Sequence, residues 1–160
     1  MTRVQELEDY FENLGGRSVF APRPQNIPGD RRLAWRTGAV CVVLSRGRSK
    51  TLALDHLSVL WWAMLSPATR ELLSRWFAGQ ARPDELLVRY DPSLSVTLDL
   101  AQGAGLISVS DGKARLLAPG IVLAEHIWSD ESVMSEEKAF LRSIPAGITQ
   151  TRMRQLLEWR

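Results

Sequence analysis

This chain is poor in the residues from which common active sites are assembled. It has one cysteine, Cys41, inside the apolar run GAVCVVL, and two histidines. One cysteine makes neither an intrachain disulfide nor a zinc cluster, so Cys41 reads as a small core residue. His56 and His126 stand 70 residues apart, and neither has a partner at metal-ligand spacing. The chain contains no GxxxxGK run ahead of Ser or Thr and no GxGxxG, so the glycine-rich phosphate loops of nucleotide-binding folds are missing. No local signature assembles a nucleophile from Ser, Cys and His. The apolar runs are far too short to span a bilayer. The opening residues, MTRVQELEDYFENLGG, are charged and lack an apolar core, which argues against a signal peptide and for a bacterial-style cytoplasm. The expectation is a protein with no catalytic residue, no cofactor and no metal.

What the chain does have is core material and unevenly placed charge. At 160 residues, 45% apolar and with six tryptophans, it suits one compact domain, or a core domain with a small appendage. The net charge is only +2, yet Arg17, Arg23, Arg31, Arg32, Arg36, Arg46, Arg48 and Lys50 face a single acid, Asp30, giving residues 17–50 a charge of +7. Such a block suits an acidic partner or a phosphate backbone, and equally a solvated basic loop. The acidic stretch SDESVMSEE (residues 129–137) reads as a solvated loop and helix start rather than a metal site.

Residues 2–14 carry Val4, Leu7, Tyr10, Phe11 and Leu14 at helical spacing. APRPQNIPGD follows as a loop or extended arm. Residues 33–46 are apolar almost all round, and their length favours helix over strand. SRGRSK is a basic turn, and Thr51 can cap the helix after it. SPATRELLSRWFAG restarts a helix with Ser66 as N-cap, Pro67 at the first position and Gly79 past the end. Asp91 and Pro92 start another, with the stripe Leu94, Leu98 and Ala101, and GAG stops it. Two β-prone runs, residues 106–109 and 114–117, flank the hairpin signal DG. APGIVLAEHIW begins a further helix, and helices over residues 135–143 and 149–159 close the chain. The fold class expected is mainly α with a small β-hairpin: a winged-helix-like domain with an inserted helix and extra terminal helices. Its divisions are an N-terminal helix and basic Pro-rich arm (1–31), the winged-helix-like domain (32–130) and a C-terminal helical extension (131–160).

LDHLSVLWWAML raises a question of its own, because neighbours on a helix point about 100° apart. Trp61 falls in the middle of a face with Leu54, Leu57, Leu60, Met64 and Leu65. Trp62 falls at its edge, beside Asp55 and Ser58. A large aromatic there is an interface anchor for a neighbouring subunit or the chain's own N-terminal helix, or it is covered by the helix after Ser66.

A winged helix that reads DNA lays the helix before its wing in the major groove, and needs Arg, Lys, Asn or Gln on the exposed face. Here that helix, in DPSLSVTLDLAQGAG, offers Ser95, Asp99 and Gln102 and no Lys or Arg. Only the hairpin is basic, with Lys113 and Arg115. The pattern suits protein binding better than sequence-specific DNA binding.

RRLAWRTGAVCVVLSRGRSKTLALDHLSVLWWAM, then DELLVRYDPSLSVTLDLAQGAGLISVSDGKARLLAPGIVLAEHI, resembles the middle component of bacterial three-component ABC-ATPase systems, the group to which Lamassu-type anti-phage and anti-plasmid defence operons belong. The likeness covers residues 32–127 and the later EEKAFLRSIPAGIT. LDHLSVLWWAM and VRYDPSL are its more specific parts; the wing is generic. The resemblance implies a small non-catalytic adaptor that binds an SMC-like coiled-coil ATPase and links it to an effector nuclease, touching DNA indirectly or non-specifically, away from membranes. No site residue is carried over from it. From the residues themselves, Arg17, Arg23, Arg31, Arg32, Arg48, Lys50, Trp62, Lys113 and Arg115 are the candidates for contact with a partner or DNA. Two alternatives stand beside it: a winged-helix transcription regulator whose basic arm grips DNA, and a homodimer sealed by its own tryptophans.

Overall fold

The Val-rich run forms helix α1 (Leu33–Ser45), whose residues from Gly38 to Leu44 are all buried. A helix apolar on every side is stable only when covered on every side. In the computed structural model, which describes residues 32–145 together with Gln5, Arg152, Met153 and Leu156, α1 is the central element. Packed on it are α2 (Leu54–Met64), α4 (Pro92–Gly103), α5 (Ala118–Ser129) and strand β3 (Lys113–Leu116). Helix α3 (Pro67–Phe77) lies against α2, and α6 (Ser135–Ser143) against α3. The architecture is mainly helical with one small antiparallel sheet. Among the described residues no helix is long and apolar enough to cross a membrane.

The sheet corrects two expectations. A hairpin of two strands was expected; the sheet has three, in the order β1-β3-β2. Strand β1 (Thr51–Ala53) pairs with β3, Thr51 opposite Arg115 and Ala53 opposite Lys113. Thr51 therefore belongs to a strand and does not cap α2, whose N-cap is Ala53, without a side-chain bond. Three residues are too few to show strand alternation, which is why β1 is invisible in the sequence. On the other side β2 (Ile107–Ser110) pairs with β3, and Asp111 and Gly112 turn the hairpin with φ of 50° and 68°. Two consecutive positive φ values are what a type I′ turn requires and what DG supplies.

The start signals act as their chemistry dictates. Ser66 accepts the Thr69 N–H at 3.2 Å with Pro67 behind it, and Gly79 ends the segment at φ 74°. Asp91 accepts the Ser93 N–H at 2.9 Å ahead of Pro92. The acidic stretch near the C-terminus is not simply solvated. Arg70, buried on α3, donates to Glu136 at 2.6 Å, to Glu137 at 3.3 Å and to the Met64 carbonyl at 3.1 Å. That clasp ties α2, α3 and α6 together. Lys138, also buried, donates to the Ile127 carbonyl at 2.9 Å and to that of Asp130, and so satisfies the C-terminal end of α5. Of the helix expected over residues 2–14 only Gln5 is described, and it is helical; the arm after it lies outside the described residues, as does most of the last expected helix, of which Arg152, Met153 and Leu156 are described and helical.

Helix α5 enters the core so closely that a Cβ on Gly120 would lie 2.1 Å from the Leu106 carbonyl oxygen. That oxygen already accepts the Leu117 N–H at 2.9 Å, so it cannot yield without losing a bond. Replacing Gly120 with alanine is expected to destabilise the domain by about 1–3 kcal/mol, the usual cost of overpacking. Chemical denaturation checks this; an unchanged midpoint contradicts the packing of α5 on the sheet.

Candidate functional site

Helix α4 is held in place by a polar latch within a mostly apolar domain. Asp91 accepts the Trp61 indole N–H at 2.9 Å, and Arg36 from α1 reaches the same carboxylate oxygen at 3.3 Å. Arg36 also donates to Thr97 at 3.1 Å and to the Ser93 hydroxyl, and its guanidinium lies 5.2 Å from the centre of the Trp61 ring. Trp35 packs on Trp61 at 6.2 Å between ring centres. One carboxylate thus fixes α1, α2 and the start of α4 together. Burial alone would raise the Asp91 pKa. Hydrogen bonds from the Ser93 hydroxyl, the Trp61 indole and the Ser93 N–H, with the Arg36 charge beside it, outweigh that and hold it below the ordinary carboxylate value.

The latch leaves the opposite side of α4 facing out. Leu94, Thr97, Leu98 and Ala101 are buried; Ser95, Val96, Asp99 and Leu100 are exposed. Val96 is 57% exposed and Leu100 43%, one helical turn apart on the same face. Gln102, the one base-reading side chain of that helix, has its side-chain oxygen engaged, accepting the Val109 N–H at 3.2 Å. Just before the helix, Leu87 and Tyr90 are exposed at 72% and 59%. The outward face of α4 thus sets an apolar pair beside Asp99 and Ser95, and the lead-in segment adds exposed Arg89 between Leu87 and Tyr90.

The sheet presents the opposite chemistry. Antiparallel partners point to the same side. Lys113 and Arg115 are exposed on β3, flanked by Thr51 and Ala53 on β1 and by Ser108 and Ser110 on β2. The turn between α1 and β1 adds exposed Arg46 and Arg48.

The expected contact residues therefore fall in different places. Arg17, Arg23 and Arg31 lie outside the described residues. Arg32 is the exposed N-cap of α1. Arg48 is exposed, whereas Lys50 pairs with Glu125 of α5 at 3.6 Å. Arg36, counted in the basic block, is turned inward to Asp91. The block is thus not one surface: Arg36 turns into the core, Arg32 stands at the start of α1, and Arg46, Arg48 and Lys50 follow its end. Trp61 is buried at 1% exposure; Trp62 is half-buried against the core, at the edge of the face. Sequence reasoning missed Val96 and Leu100, although a helical wheel places both opposite the Leu94–Leu98 stripe. It also missed the latch, because nothing in a sequence pairs Arg36 with a carboxylate 55 residues away.

His56 is half-buried on α2 and His126 exposed in the last turn of α5. Among the described residues no three His, Cys, Asp or Glu side chains gather as a metal site. Cys41 is fully buried and its thiol is pushed up to about 11 by that burial, the opposite of an activated nucleophile. No protein-family model, curated protein or solved structure matches this chain.

Because the Asp91 pKa is lower in the folded chain than in the unfolded one, its contribution to stability is full above the unfolded value and is lost as pH falls through the folded value. Wild-type stability is expected to decline from about pH 4 downward, and D91N to be less stable at neutral pH with a shallower acid decline. Denaturation midpoints across pH 2–7 measure both; parallel curves for the two proteins contradict the latch.

Proposed function

We propose that the chain is a non-catalytic adaptor on a winged-helix-like plan, which binds an SMC-like coiled-coil ATPase and links it to an effector nuclease in a bacterial defence complex. The observation that carries this reading is the outward face of α4. Val96 and Leu100 stand exposed around Asp99, with no Lys or Arg on the helix. Phosphate contacts need cations, and an acid there repels the backbone. An apolar pair beside one acid suits another protein. The element order also supports the plan: helix, strand, helix, an inserted helix, helix, then a hairpin whose second strand takes β1 on its free side. The ATPase and nuclease come from the resemblance of residues 32–127 to middle components of three-component ABC-ATPase systems.

A second reading, a sequence-specific transcription regulator, has one observation in its favour, the exposed Lys113 and Arg115 on the hairpin. Selection of one preferred sequence from a random duplex pool would carry it.

Co-expression with the neighbouring genes, followed by affinity purification, tests the adaptor reading. The wild-type chain is expected to retain a coiled-coil ATPase. The double variant V96E/L100E is expected to lose it at least tenfold while melting within a few degrees of wild type, since neither side chain is buried. Equal retention by the two proteins, or no ATPase with either, contradicts it.

A further inference from the structure

Eight large apolar side chains are exposed among the described residues, and four of them, Leu87, Tyr90, Val96 and Leu100, fall in one continuous stretch of chain. Single exposed apolar residues are ordinary, but a concentration of them marks a contact surface. The same stretch carries two charges of opposite sign. Arg89 is exposed just ahead of α4, where Leu86 is buried and Val88 packs on the core. Asp99 is exposed about two turns into the helix, roughly 10 Å past its first residue. Neither forms an ion pair among the described residues. The stretch cannot satisfy them itself. Asp91, the acid nearest to Arg89 in the chain, is bound to Arg36, Trp61 and Ser93. Helix α4 holds no cation for Asp99. A cation ahead of a helix N-terminus is also disfavoured by the positive end of the helix dipole, so Arg89 gains from an acid brought by another molecule.

We propose that this stretch is self-complementary: two copies of the chain pair across it about a two-fold axis, Arg89 of each copy meeting Asp99 of the other. A two-fold interface that sets residue i on j also sets j on i. A surface with a cation at one end, an acid at the other and apolar side chains between them is therefore matched by a second copy of itself. Aligning both charge pairs puts the axis at the level of Leu94, midway between them. Leu100 then lies toward the other copy's Leu87, and Val96 toward its Tyr90, so all four apolar side chains are covered. Six side chains per copy are far fewer than the roughly 20–30 of a standard interface, so the dimer is weak and forms at high concentration. A tighter partner on α4 displaces the second copy. That last consequence rests on the adaptor reading; the pairing does not, because it is a property of the isolated chain.

Sedimentation velocity of the isolated full chain, from about 10 µM to about 500 µM, covers the range in which a weak interface assembles. Wild type is expected to pass from monomer toward dimer across it. R89D and D99R are each expected to weaken the dimer at least tenfold, because each sets like charges against one another twice in the pair. The double swap R89D/D99R is expected to restore the dimer to within about threefold of wild type, a rescue that a merely structural role for either residue does not give. R75E, an exposed reversal on α3, is expected to leave it unchanged. All four variants are expected to melt as wild type does, since none of the three side chains is buried. A monomer at every concentration overturns the proposal and leaves the adaptor reading standing. A dimer insensitive to R89D and D99R, a double swap that stays monomeric, or an equal loss in R75E overturns it as well.

Discussion

The carboxylate of Asp91 is the point on which the arrangement of this domain depends. It caps α4, takes the indole N–H of the buried Trp61 and holds Arg36, which in turn reaches Ser93 and Thr97. Three helices far apart in sequence are thereby locked in one orientation. Apolar packing alone would hold α4 against α1 with freedom to rotate, since hydrophobic burial is non-directional. A charged, multiply bonded group removes that freedom. Taking one partner from a buried ion pair costs about 3–5 kcal/mol, and partial exposure of Asp91 reduces that figure here. What the latch fixes above all is which side of α4 faces out.

That orientation divides the surface by chemistry. One side shows an apolar pair and an acid on α4; the sheet shows Lys113 and Arg115. Two further polar contacts brace the frame. Arg70 clasps Glu136 and Glu137, and Lys138 closes the end of α5. Several charges are thus sunk into joints between helices, while Asp99 is the one charged side chain of α4.

Much of this was legible in the sequence, for local reasons. Ser66-Pro67, Asp91-Pro92 and Asp111-Gly112 each carry their own geometry, and all three appear where expected. The continuous apolar run of α1 gave its length, and Trp61 lay at the centre of its face. What was not legible is non-local. Strand β1 has three residues and exists only because β3 offers an edge. Arg36 looked like one more member of a basic block, yet it is the inward partner of Asp91. Glu136 and Glu137 looked solvated because Arg70 stands more than sixty residues away in the chain. Val96 and Leu100 are legible on a helical wheel, opposite the Leu94–Leu98 stripe.

The proposed adaptor role requires α4 to meet a protein partner through its outward face. Hydrogen–deuterium exchange of this chain, alone and with the co-expressed coiled-coil ATPase, measures that face directly. Slowed exchange is expected over residues 92–104 and in the segment carrying Leu87 and Tyr90 when the partner is bound. Slowed exchange confined to other parts of the chain, with residues 92–104 unchanged, would contradict it.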